Sequence, residues 1–233
     1  MFSSENADKS WEPFLIRTRE MLESVYNAVS PGGFLPDEGR VLRFLSVPLH
    51  SVRIVILGQD PYPQPGAATG RSFEVGTLSS WTQPFRQSSL RNILRAIYAA
   101  YEGEPLAWSA VREKIARGEF RILPPDRLWD DLEAQGVLFL NAYLTVAPGK
   151  PGAHRALWEP FSHRLVRFID ENAPSCAWFL WGSDARAFSP EIKNGTRYES
   201  RHPMLTGPWD DDFLKNPCFR ETASCIDWRG REI

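Results

Sequence analysis

Hydrophobic and polar positions along this chain follow two distinct periods. Ile54-Val55-Ile56-Leu57 is an unbroken apolar run closed by Gly58, the pattern of a strand buried on both faces. Val137-Leu138-Phe139-Leu140-Asn141 repeats it and ends on a polar residue, and Cys176-Ala177-Trp178-Phe179-Leu180-Trp181 repeats it again before Gly182-Ser183 turns the chain into a short helix. Arg197 to Ser200 reads as a weaker fourth strand. Between these runs the apolar residues recur at helical spacing. Trp11, Phe14, Leu15, Leu22, Val25 and Val29 follow a candidate N-cap at Ser10 and stop near Ser30-Pro31-Gly32-Gly33. A short helix is expected over 37–45, and another from Ser89, with Leu90, Ile93, Leu94, Ile97 and Tyr101 on one face. Residues 102–127 read as a helical excursion with loops, and 128–135 as a helix that Gly136 stops. Trp158, Phe161, Leu165, Phe168 and Ile169 mark the next helix, and 213–226 the last. Residues 1–9 are expected to be disordered.

Strands that alternate with helices predict an α/β fold: a three-layer sandwich with a central four-stranded, mostly parallel sheet and helices on both faces. Parallel strands end on the same side. Asp60, Asn141, Ser183 and His202 each follow a predicted strand, so they should meet at one edge, where open α/β sheets hold ligands. The segment after Gly58 is dense in breakers: Pro61, Pro63, Pro65, Gly66 and Gly70. It predicts a stiff loop that carries Gln59, Asp60 and Tyr62, with Phe73 on a short extended run behind it. Taken singly, each residue has a plain structural reading. Asp60 suits a turn, Asn141 a cap, Phe73 the core and His202 a loop. Gathered at one sheet edge they describe a polar pocket with aromatic walls. Asn141 can read an amide-like edge with one acceptor and two donors. Asp60, expected to be the pocket's only carboxylate, can orient water or stabilise a cation, and His202 can donate to a developing oxyanion.

Composition adds bounds. The chain has 233 residues, 42% hydrophobic and 24% charged, with no shift along its length. This fits a single domain over 1–233. Lys and Arg number 27 against 29 Asp and Glu, a net charge of −2. Nucleic-acid binders are often basic, so such a role requires the basic residues to gather on one face. Three cysteines form no CxxC pair, which points to a reducing compartment without a cysteine zinc site. The polar N-terminus has no signal core, and no apolar run reaches the length of a membrane span. These features lead to an expected cytoplasmic location, and Asn194-Gly195-Thr196 is accordingly discounted as a glycosylation site.

Gly58-Gln59-Asp60-Pro61-Tyr62, followed by Gly70-Arg71-Ser72-Phe73, resembles the water-activating loop of family 1 uracil-DNA glycosylases. Gly136 to Val146 resembles that family's uracil-reading strand. Phe179-Leu180-Trp181-Gly182-Ser183 is similar to its Gly-Ser loop, and Gln87 to Ile93 to its backbone-pinching loop. His202-Pro203-Met204-Leu205 resembles the start of its intercalation loop, and near the end of the chain Ile226-Asp227-Trp228 is also similar. The likeness runs over roughly residues 45–228. It implies a monomeric DNA N-glycosylase without metal or cofactor. Its substrate would be uracil-containing DNA, single- or double-stranded, and a proteinaceous mimic of uracil or DNA could inhibit it. Carried over residue by residue, Asp60 and His202 are catalytic. Gln59, Tyr62, Phe73 and Asn141 hold uracil, with Tyr62 excluding the 5-methyl of thymine. Ser88, Ser89 and Ser183 hold phosphates, and Leu205, with Met204 beside it, fills the gap left by the base. Four features depart from the family pattern. Pro63 replaces a frequent histidine, Arg71 an apolar residue and Ser88 a proline, and the His202 loop is one residue short. That last change bears on DNA affinity and base extrusion more than on the chemistry. Three other readings remain open: a glycosylase of altered specificity or low activity, a non-catalytic binder of uracil-containing or damaged DNA, and a hydrolase of small nucleotides.

Overall fold

The computed structural model describes residues 2–231. Its elements are α1 (Glu12–Val29), α2 (Glu38–Val41), β1 (Ile54–Gly58), α3 (Ser88–Glu102), α4 (Trp108–Ala116), α5 (Pro125–Ala134), β2 (Val137–Asn141), α6 (Arg155–Asn172), β3 (Ala177–Trp181), α7 (Ser183–Arg186), β4 (Thr196–Ser200) and α8 (Cys218–Thr222), joined by loops and short 3₁₀ turns. The sheet order is β2-β1-β3-β4, and every pairing is parallel.

The apolar strands divide their side chains by the two-residue period. Val55, Leu57, Leu138, Leu140, Trp178 and Leu180 enter one core with Phe14, Leu22 and Val25 of α1 and Phe161, Leu165 and Ile169 of α6. Ile54, Ile56, Val137, Phe139, Phe179 and Trp181 enter a second core with Leu90, Ile93 and Leu94 of α3, Leu128 and Leu132 of α5, and Phe219 of α8. One strand therefore serves two layers, which is why its sequence is continuously apolar. β4 lies at the sheet's edge, with Arg197 and Glu199 exposed, a charged finish that discourages pairing with another chain.

Connections are fixed by polar groups. Gly136 has a φ of +101°, and a Cβ there would sit 2.4 Å from the Ser51 carbonyl oxygen, so the turn from α5 into β2 needs glycine. Asp170, buried near the end of α6, accepts backbone N–H bonds from Lys193, Asn194 and Gly195 at 2.7, 3.0 and 2.9 Å. This holds the turn that leads into β4. Cys176, Cys218 and Cys225 are free thiols. Among the described residues no helix is long and apolar enough to cross a membrane.

Three expectations are corrected. Residues 1–9 were expected to be disordered, but 2–9 are ordered against the fold, with Met1 outside the described residues. Phe2 is buried, its ring 5.2, 5.5 and 5.5 Å from those of Tyr26, Phe34 and Trp158, and Asp8 caps the turn into α1 by accepting from the Ser10 N–H at 2.9 Å. The helix expected over 213–226 is a 3₁₀ turn at Phe213–Lys215 and α8, separated by Pro217, which has no N–H to continue a helix. The helix expected over 37–45 breaks at Leu42, with φ −101° and ψ 25°, into α2 and a 3₁₀ turn at Arg43–Ser46.

Candidate active site

Strand register puts the chemistry at one edge. Gly58 pairs with Asn141 and Trp181 with Ser200, so β1, β2, β3 and β4 finish on a common row. Two residues past that row stand Asp60, on the loop from β1, and His202, on the loop from β4. Gln59, Gly182, Ser183, Asp184, His202 and Met204 line a cleft of about 190 Å³ beside Trp181.

Asp60 is held by a segment that the sequence showed only as a loop. The N–H of Gly152 donates to its Oδ2 at 2.6 Å, and the N–H of Gly149 donates to the Pro63 carbonyl at 2.9 Å. The 148–154 loop thus docks on the 59–63 loop through backbone donors. Burial pushes the Asp60 carboxyl above its usual range, the Gly152 bond draws it back, and the charge of Asp184 pushes it up again. Asp60 is therefore not the only carboxylate of the site. Asp184 lines the cleft and is paired with Arg155 at 2.8 Å.

His202 is a neutral donor by geometry. Its Nδ1 accepts the Met204 N–H at 3.2 Å, so the proton resides on Nε2. Burial holds its pKa below the ordinary value against the opposing pull of Asp184. Arg201, next to it in the chain, would also disfavour a charged ring, but it is not the cause. Burial is the cause instead, because the Arg201 guanidinium is engaged with Asp211 at 2.7 Å. The ring also needs Gly182, where a Cβ would approach the His202 Cβ to 2.9 Å.

Phe73 and Asn141 meet over Gly58. A Cβ at Gly58 would lie 2.7 Å from Asn141 Oδ1 and 3.6 Å from the Phe73 ring, so this glycine is the floor on which both rest. Asn141 is 3% exposed, and among the described residues its amide makes no hydrogen bond. Its acceptor and donors are left open to a ligand. Phe73 has φ +62°, the only positive value at a non-glycine position among the described residues. For such a residue this costs about 1–2 kcal/mol, and strain of this kind collects at ligand sites. The Phe73 ring stands 6.1 Å from that of His202 and 5.6 Å from that of Trp181. Tyr62 packs against the second core between Pro61 and Pro63, and its buried hydroxyl has no partner. The Gln59 carbonyl is committed to the Tyr143 N–H at 2.8 Å.

Beyond the pocket lie the remaining expected residues. Ser88 and Ser89 open α3, whose first-turn N–H groups form an anion-attracting end. One turn on, the Asn92 amide donates to the Pro203 carbonyl at 2.7 Å, tying this helix start to the segment after His202. Met204 and Leu205 are 57% and 47% exposed, and Trp209 stacks its ring under the Arg201 guanidinium at 4.6 Å. Ser183 is exposed at the cleft rim.

Residues 46–219 match the family model of the uracil DNA glycosylase superfamily. The chain belongs to that superfamily. It is 34% identical to a uracil-DNA glycosylase of Parafrankia sp. over 229 residues, which is 94% of this chain and 92% of the relative. Identity to the Thermobifida fusca uracil-DNA glycosylase is 33%, covering 94% and 90% of the two chains. The fold is that of the wild-type UNG crystal structure from Nitratifractor salsuginis, with a TM-score of 0.75 and 23% identity over 97% of this chain and 94% of the other. The mimivirus uracil-DNA glycosylase structure matches with a TM-score of 0.64 and 20% identity, over 85% and 70% of the two chains.

Sequence reasoning missed Gly152, Asp184 and Arg155. Gly149 and Gly152, each directly after a proline, were the available signal, and both adopt φ +73°. Asp184, next to Ser183 and past a strand end, was legible by the same rule that found Asp60.

Proposed function

We propose that the protein is a monofunctional uracil-DNA glycosylase, acting as a monomer. It hydrolyses the bond between uracil N1 and the deoxyribose C1′, and leaves an abasic site. The observation that carries this reading is a half-buried neutral histidine with its Nε2–H free, beside an aromatic ring and at the same sheet edge as a half-buried carboxylate. A base extruded from DNA slides against Phe73 and presents its N3–H and O4 to the open amide of Asn141. The stiff Tyr62 segment excludes a 5-methyl group, and Gln59 contributes to the pocket from the cleft wall. As the N1–C1′ bond breaks, its electron pair moves onto uracil and charge collects on O2. His202 Nε2–H donates to that oxygen. The Asp60 carboxylate stabilises the cationic sugar and orients the water whose oxygen bonds to C1′; the proton this water loses passes to Asp60 and balances the negative charge carried off on uracil. Ser88, Ser89 and Ser183 hold phosphates, and Leu205 with Met204 enters the stack that the base has left. Substrates are uracil in single-stranded or duplex DNA. An inhibitor protein that mimics this DNA would dock on the same face. A mimivirus UNG variant of the same fold, Y322L, has been solved in complex with UGI.

The test is release of free uracil from a uracil-containing oligonucleotide, followed by alkaline cleavage at the abasic site. Release from uracil but not thymine supports the activity. Tight binding without release would make the protein a binder of uracil-containing DNA, and hydrolysis of free deoxyuridine alone would make it a nucleotide hydrolase.

A further inference from the structure

The strained backbone of Phe73 has an identifiable cause two residues before it. Arg71, whose side chain is 4% exposed, stands where the family pattern has an apolar residue, and it gathers three carboxylates. Its guanidinium donates to Glu74 Oε1 and Oε2 at 3.3 and 3.4 Å, to Asp130 at 2.5 Å and to Glu133. Asp130 and Glu133 lie on α5, so the side chain crosses from the 70–74 segment to a helix of the second core. Glu74, on the far side of Phe73, is held again by the Thr69 hydroxyl at 2.5 Å. Ser72 Oγ donates to the Ile56 carbonyl at 3.0 Å, and Gly70 is pressed against the Arg40 carbonyl, which a Cβ would meet at 2.2 Å. Phe73 is thus the single unbonded side chain in a segment whose neighbours on both sides are tied down.

We infer that Arg71 is a positioning residue: its fork to Glu74 on one side and to Asp130 and Glu133 on the other holds Phe73 in the left-handed conformation that faces its ring toward His202 and the base. The inference rests on the proposed activity for its kinetic consequence but not for its structural one. A planar guanidinium with five donors in fixed directions can serve three carboxylates together. A lysine ammonium keeps the charge and loses the fork. Removing the charge would take the guanidinium from Glu74 and Glu133, whose side chains are each 13% exposed, and threaten folding, so Arg71→Lys is the informative substitution.

Two measurements are made on Arg71→Lys in the full chain. The first is the set of proton Overhauser contacts from the Phe73 ring to the His202 and Trp181 rings. They are expected to weaken or vanish in the variant, and unchanged contacts would overturn the inference whatever the activity. The second is a double-mutant cycle with Phe73→Ala, read as uracil release. Arg71→Lys is expected to lose about tenfold in kcat/KM on the native background, with KM for uracil-containing DNA carrying most of the change and affinity for uracil-free DNA holding. On the Phe73→Ala background it is expected to lose nothing further. Equal losses on both backgrounds, or no loss on either, would make the cluster a fold-holding network only. If Arg71→Lys does not fold, Glu133→Gln on α5 removes one arm of the fork, and the same outcomes apply. Absence of uracil release from the unaltered chain would remove the proposed activity and leave the ring contacts to decide the role of Arg71.

Discussion

The floor of the pocket and the loop that follows His202 are built in opposite ways. At the floor, side chains are locked: Asp60 by Gly152, His202 by Met204 and Gly182, Phe73 by its anchored neighbours, and Asn141 by the wall of Gly58. In the 203–210 loop the backbone is locked and the two apolar side chains that follow Pro203 are free. The Pro203 carbonyl is held by Asn92 at 2.7 Å, the Arg201 N–H by the Asp211 carbonyl at 2.8 Å, and the Gly207 N–H by the buried Asp212 at 2.6 Å. Between these anchors Met204 and Leu205 project into solvent. The difference follows from what each region meets. A base must be read by groups already in place, because reorganisation during the reaction costs rate. A DNA stack supplies its own packing, so a firm stem with an apolar tip suffices there.

The contrast is broken most severely at Asp60. Asp60→Asn keeps its shape and should lose about 10²–10⁴-fold in uracil release, the usual worth of a general-base or electrostatic group, while DNA binding holds. Near-native release from this variant would remove Asp60 from the chemistry.

Tyr62→Ala opens the floor without touching the loop. It should let thymine be cleaved, and the uracil-to-thymine preference should fall by up to about 100-fold, the range that one methyl group commands. The check is parallel assays on the two bases. Continued rejection of thymine with intact uracil cleavage would place the gate elsewhere.

Leu205→Ala tests the other region alone. Extrusion from a duplex costs a few kcal/mol that a single strand does not demand. The variant should therefore lose about tenfold on duplex substrate and little on single strands. Equal effects on the two substrates would take Leu205 out of base extrusion.

The smallest effect is a shift in pH dependence. The proposed mechanism needs Asp60 ionised and His202 neutral, and both conditions fail as pH falls. Asp184 raises both pKa values. Asp184→Asn lowers both, so the acid limb of the pH–rate profile should move to lower pH. A limb that stays fixed or moves upward would show that Asp184 does not act on these groups.

The sequence was most readable where a single principle governs. Four strands, their parallel arrangement and the shared edge follow from apolar runs and helical spacing, and that edge alone brings Asp60, Asn141, Ser183 and His202 into one region. Where tertiary contacts decide, reading failed. Phe2 lies alone in a polar segment, with no period to reveal that Tyr26, Phe34 and Trp158 receive it. Arg71 showed only as a departure from the family pattern, because its partners on α5 stand some sixty residues away. The bond from Gly152 to Asp60 is made by a backbone N–H, which no residue type announces.

β1 sits between β2 and β3, and its Ile54 pairs with Val137 and Ala177. Neither partner is near in the chain. Such parallel pairing closes long loops before it gains contacts, which favours slow folding. The row of strand ends that carries Asp60, Asn141 and His202 exists only after all four strands have docked. No fragment ending before β4 holds His202, and one ending before β3 leaves β1 without a neighbour on that side. Catalytic function is therefore a property of the finished sheet. Recovery of uracil release after denaturant dilution should lag behind recovery of helical signal and report the last strand to arrive.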